Sequence, residues 1–142
     1  ESMKLAEEVL VPVVTPDSDG APRWWLPDKP EGPIPCLHTL SDFSPWPIRN
    51  HMESKYTDLT FKSVYESSIG TTLKEMALEG FGIAWLPSAL VEDDLTSGRL
   101  VRVAEPADDI IVDISIYRCQ KYTEPRVEQF WRVLLQQNSR LP

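Results

Sequence analysis

Apolar positions along the chain switch repeatedly between a period of two and a period near four, and each switch marks the edge of an element. The first run, VLVPVV within residues 5–14, follows a helix-compatible LAEE. Its β-branched residues predict a strand, with Pro12 arguing for an edge or an entry position. Residues 15–35 are dense in Pro, Asp and Gly and predict a long surface loop, in which Trp24 and Trp25 pin the loop to its own domain rather than forming a binding patch. A short strand at 34–37 follows. Ile48, Met52 and Tyr56 then recur every four residues, predicting an amphipathic helix whose first turn suits Pro47.

The second half is more regular. Phe61, Ser63 and Tyr65 alternate with Lys62 and Val64 as in a strand, and Leu73, Met76, Ala77 and Gly80 continue at helical spacing. Gly80 and Gly82 stop that helix, and IAWLP reads as a buried strand closed by Pro87. Residues 88–98 predict a short helix capped by Ser88 and Gly98. Leu90, Val91 and Leu95 face inward, and Glu92, Asp93 and Asp94 lie on a solvated face. The strand RLVRV, a break at EPADD, an alternating strand IIVDISIYRC and a helix from Pro125 to about Gln136 complete the chain, with Phe130, Trp131, Leu134 and Leu135 on the last apolar face. Strands alternating with helices predict an α/β fold, a mostly parallel sheet flanked by helices.

Composition narrows the function classes. With 42% hydrophobic and 25% charged residues the chain is ordinary for a globular domain, and no apolar run nears the ~20 residues of a membrane-spanning helix. No secretory leader is recognisable in ESMKLAEEVLVPVV, which predicts a cytoplasmic protein with no membrane partner. Cys36 and Cys119 lack metal-ligand spacing and are expected as reduced, structural thiols. A net charge of −8 opposes binding of nucleic acid by this chain itself. No nucleophile elbow, phosphate loop or metal-spaced histidine cluster occurs, so neither an enzyme nor a cofactor is expected.

In an α/β sheet, ligands bind outside the carboxyl ends of parallel strands, where helix N-termini offer unpaired amides to anions. Two β-to-α junctions therefore carry the candidate site. One is Glu66, Ser67 and Ser68, where the serines cap the following helix alone or also touch a ligand, and where Glu66 would repel an anion. The other is HTLSDFSPWP, where His38, Thr39, Ser41 and Ser44 either build a local turn or contact a ligand. His38 is either hydrogen-bonded in place or a charge switch near neutral pH. Trp85 is either core or a flat apolar wall.

Residues 61–103 resemble the second regulatory subdomain of LysR-type transcriptional regulators. The resemblance is carried by Ser67 and Ser68 at a strand end, then LKEMALEG, GFGIAWLP and GRLV, in that order and spacing. Within the family, the hypochlorite-responsive branch is nearest in LKEMALEGFGIAWLP, TSGRLV and PRVEQFWRVL, although Met3, Met52 and Met76 do not fall where that branch's sensing methionines lie, and Met76 reads as core packing. The resemblance implies a periplasmic-binding-protein-like subdomain. Residues 1–14 would be a crossover strand from a first subdomain, 15–115 the second regulatory subdomain, and 116–142 the return crossover and C-terminal helix. It further implies that effector contacts lie at the Ser67–Ser68 strand end, that a small-molecule effector binds in a cleft between subdomains, and that the domains assemble as a dimer or tetramer. DNA would be bound only through a winged helix-turn-helix outside this chain. The competing expectation is a stand-alone two-lobed solute-binding module unconnected to DNA.

Overall fold

Thirteen residues of extended chain, β1 (Ser2–Val14), run through the interior of a six-stranded mixed sheet. The computed structural model describes residues 1–40, 48–119, 121 and 124–138. After β1 come β2 (Pro33–Thr39), α1 (Ile48–Lys55), β3 (Thr60–Ser67), α2 (Gly70–Leu78), β4 (Ile83–Pro87), α3 (Ser88–Ser97), β5 (Val101–Arg102), β6 (Ile110–Tyr117) and α4 (Pro125–Asn138). The sheet order is β3-β2-β4-β1-β5, and β6 also pairs with β1. β3, β2 and β4 are parallel, and β1 is antiparallel to β4 and β5.

Pro12 is not at a sheet edge. It lies opposite Trp85 of β4, and its carbonyl accepts the Val103 amide at 3.1 Å on the β5 side. A residue's N and O point to the same side of a strand, so the missing donor also faces β5, whose ladder is only two residues long.

Alternation along the strands divides the core into two faces. Leu10, Val14, Cys36, Ile83 and Trp85 point to one face, where they meet Leu26, Ile48, Met52 and Tyr56. Val11, Val13, Leu37, Ala84 and Leu86 point to the other, against Leu73 and Ala77 of α2 and Val91 of α3. Burial of each such large side chain contributes about 1.5–3 kcal/mol. Trp24 packs against the first cluster and Leu26 is buried in it, so the Pro-rich loop is pinned to its own domain.

Local details sharpen the sequence expectations. At the end of α2, Gly80 (φ +83°) accepts the left-handed conformation while its amide bonds to Ala77 O and that of Phe81 to Met76 O, a Schellman closure. Gly82 serves packing instead, because a Cβ there would sit 2.6 Å from the Pro35 carbonyl oxygen of β2. Ser88 is not the cap of α3; Pro87 holds that position, and Ser88 Oγ donates to Glu8 Oε1 at 3.0 Å. Asp94 is not on a solvated face either. It is fully buried, paired with Lys74 of α2 at 3.1 Å and Arg99 at 2.5 Å.

Contacts divide the chain into two units, Glu8–Val112 and the smaller Glu1–Glu7 with Asp113–Pro142. The larger unit holds both core faces. In the smaller one, Arg118 stacks over Trp131 at 4.7 Å and pairs with Glu1 and Glu128, and Lys4 pairs with Asp113 at 2.7 Å. Trp131 is the buried anchor of α4, while Phe130 and Leu135 of α4 and Ile111, Ile114 and Tyr117 of β6 are exposed. No helix among the described residues is long and apolar enough to cross a membrane.

Candidate functional site

Parallel pairing of β2 with β3 sets His38 opposite Glu66 and Thr39 opposite Ser67, so the two predicted junctions meet at one sheet end. The Leu40 amide donates to Ser67 O at 3.2 Å and locks the strand ends together. Ser41 and Ser44 lie outside the described residues. Thr39 Oγ1 is buried and makes no hydrogen bond, which marks a place where a polar partner would be welcome.

Ser67 and Ser68 are not the N-cap of α2. Ile69 takes that position without a side-chain cap, and Ser67 Oγ accepts its amide at 3.1 Å in a local turn. Ser68 is exposed beside it. The helix start thus keeps amides uncovered by any side chain, as an anion site requires.

Arg49, in the first turn of α1, stands 3.8 Å from Glu66 Oε1. Its charge offsets the carboxylate that would otherwise repel an anion. Burial, followed by the Arg49 charge, pushes His38 below the ordinary histidine range, against an opposing pull from Glu66. A neutral imidazole follows at neutral pH, able to donate from one nitrogen and accept at the other. Cys36 Sγ lies 3.9 Å from His38 Nδ1, and burial pushes its thiol up to about 12, so it is a packing group rather than a nucleophile. Both cysteines are free.

A groove of about 350 Å³ runs from His38 and Arg49 past Met52 and Glu53 to Tyr56 and Phe61. It falls at the small end of the roughly 300–1,000 Å³ usual for ligand pockets. Trp85 is not part of it. That ring is 2% exposed in the core, with the Tyr56 ring 6.2 Å away, and it offers no wall to a ligand. The sequence pattern left Arg49 unmarked and marked Tyr56 only as part of the apolar helix face, although Arg49, Glu53 and Tyr56 sit at i, i+4 and i+7, one stripe of the α1 helix and its end. Among the described residues no group of three or more His, Cys, Asp or Glu side chains is gathered as a metal site would gather them.

One family model matches residues 1–139, the LysR substrate binding domain. The chain belongs to the LysR family. A LysR relative in Escherichia coli O157:H7, the HTH domain-truncated transcriptional regulator QseD, is 30% identical over 136 residues, covering 94% of this chain and 54% of its own length. The regulatory domain of HypT from Salmonella typhimurium, in its apo form, superposes with a TM-score of 0.82 at 28% identity, over 99% of this chain and 66% of that one. Full-length HypT, a hypochlorite-specific LysR-type transcriptional regulator, gives 0.82 at 29% identity over 99% of this chain and 47% of that one. The chain therefore spans about half the length of the complete LysR proteins it resembles. These relatives are transcriptional regulators, and the α/β fold is that of the LysR effector-binding domain.

Proposed function

We propose that this chain is the effector-sensing part of a LysR-type regulator, and that a small anionic molecule binds at the carboxyl ends of β2 and β3. The observation that carries the reading is the meeting of His38, Thr39, Arg49, Glu66 and Ser67 at one sheet end, with a buried hydroxyl lacking a partner. Arg49 supplies the cation, neutral His38 and Thr39 supply directional hydrogen bonds, and the uncapped start of α2 adds backbone amides.

In this reading residues 15–115 form the second sensing subdomain, and residues 1–14 and 116–142 are the crossovers to and from a first subdomain. Ligand binding would change the relative closure of the regulator's two sensing subdomains. Closure shifts the geometry of an oligomer bound to DNA through a separate winged helix-turn-helix, because a ligand that prefers one arrangement raises its population. A cytoplasmic location fits such a role.

Thermal melting of the complete regulator against a panel of small carboxylates tests it. A saturable rise in melting temperature that disappears in Arg49→Gln is expected. A rise that Arg49→Gln leaves intact places the ligand elsewhere, and no rise with any carboxylate removes that ligand class.

A second reading, oxidant sensing, is favoured by the likeness to the hypochlorite-specific HypT. Met3 and Met52 are buried and Cys119 is exposed, so brief hypochlorite treatment should modify Cys119 before either methionine. Peptide mass mapping that finds Met52 oxidised first would make the groove itself the sensor.

A further inference from the structure

The groove beside α1 changes character along its length. His38 and Arg49 hold its head, and Met52, Tyr56, Leu59 and Phe61 wall its body. Met52 and Tyr56 are 4% and 9% exposed and belong to the core, with Leu59 and Phe61 packed against them, so the body of the groove is a place where the apolar core meets the surface. Tyr56 and Phe61 meet edge to face, their ring centroids 6.2 Å apart at 75°. The Tyr56 hydroxyl bonds to Asp108, which lines a separate, smaller depression beside Leu26, and the groove is therefore left with the tyrosine ring.

Charge and length set two further limits. Arg49 is the cation lining the groove, and among the described residues its acid neighbour is Glu66 at 3.8 Å, too long for a direct hydrogen bond. The guanidinium can therefore turn its paired donors to a carboxylate. Glu53, exposed and one helical turn further on, lines the same groove. A second anionic group on a ligand would meet Glu53 with no cation to answer it, so the groove takes one negative charge. Arg49 and Tyr56 lie seven residues apart on a helical stretch that the Tyr56 amide extends by bonding to Met52 O at 3.0 Å, a rise of about 10 Å. The arginine side chain covers part of that span, and the rest has the length of a short alkyl chain and a ring.

We propose that the effector is an aryl-alkyl monocarboxylate, an inference that rests on the strand-end reading above and gives it a substrate class. The carboxylate lies on Arg49 and His38, and the ring lies on Met52, Tyr56 and Phe61. Such a body leaves water for walls that are already apolar, and its ring contacts add to what the carboxylate supplies. Small polar acids forgo those contacts, and dicarboxylates meet Glu53.

3-Phenylpropionate serves as the probe. Propionate lacks the ring, 3-phenylpropionamide lacks the charge, and succinate carries a second charge. The readout in the intact protein is the methyl resonance of Met52, one of three methionines, assigned by its loss in Met52→Leu. A saturable shift with 3-phenylpropionate is expected, with every control at least roughly tenfold weaker. Arg49→Gln should weaken the probe roughly tenfold or more, the loss of a charge-assisted hydrogen bond, and Phe61→Ala roughly threefold or more, the loss of a ring contact. Propionate binding should be insensitive to Phe61→Ala, which separates a lost ring contact from a damaged fold. A control as tight as the probe, probe binding unchanged in Phe61→Ala, or a Met52 methyl that stays in place while Arg49-dependent binding occurs overturns this inference alone. A melting temperature that no carboxylate raises overturns the strand-end reading and this inference with it.

Discussion

The two faces of one sheet do different work. The face covered by α2 and α3 is packed at its centre, where Ala77, Ala84, Leu86 and Val91 are fully buried and the buried acid Asp94 is answered by two cations, and it opens only at its rim, in a depression of about 470 Å³ between β1 and α3 lined by Val11, Ser88, Glu92 and Leu95. The face covered by α1 and the Pro-rich loop is open in two places, a groove beside His38 and Arg49 and a smaller depression beside Leu26 and Lys29. Residues 61–103, which carry the family pattern, build mainly the α2 and α3 side, whereas His38, Thr39 and Arg49 of the proposed effector site come from β2 and α1.

Truncations on the two faces put that contrast at risk. Leu86→Ala leaves a cavity in the α2 and α3 face and should cost about 4 kcal/mol, while Met52→Ala, beside the groove, should cost about 2 kcal/mol because its surroundings can collapse. Urea unfolding of both variants checks the order, and equal losses would erase the distinction. Asp94→Ala strands Lys74 on the α2 and α3 face. A loss of about 3 kcal/mol is expected, the low end for breaking a buried pair, since Arg99 can turn to water. A loss within the surface range of about 0–1 kcal/mol would mean that the triad is no part of the framework.

Smaller effects separate neighbouring serines. Ser88→Ala removes the bond to Glu8 and should cost about 1 kcal/mol, whereas exposed Ser68→Ala should stay within about 0.5 kcal/mol. The smallest effect concerns pH. His38 is held below its ordinary value of 6.5, so the unfolded chain takes up the proton first as pH falls. Its contribution to stability is complete above about pH 6.5 and declines below it, until the folded ring also protonates. His51 is depressed in the same direction, by burial first and then by Lys55, so His38→Gln should flatten only part of the slope.

Much of the architecture was legible because periodicity reports burial on a face. The strand IAWLP, the helix around Leu73 and Ala77 and the left-handed stops at Gly80 and Gly98 follow from local rules that tertiary contacts did not override. What periodicity could not report was pairing across the chain. Asp94 sits in an acidic run and looks solvated until Lys74 and Arg99, twenty residues before it and five after, are brought alongside. Ser88 resembles a cap until Glu8 reaches it from β1. For the candidate strand-end residues, residue type and β-to-α position pointed to His38, Thr39, Glu66 and Ser67, but only the β2–β3 register shows that they are neighbours. Arg49 went unmarked because a lone arginine on an amphipathic helix carries no local signal, and Trp85 was ambiguous because a strand aromatic serves core and pocket equally well by sequence.

Native-state hydrogen exchange tests the separation of the two faces most directly. Amides of α2 (Gly70–Leu78) and β4 should exchange only through global unfolding, while those of α1 (Ile48–Lys55), which borders both depressions, should exchange through a smaller opening at lower free energy. Protection of α1 equal to that of α2 would contradict the account.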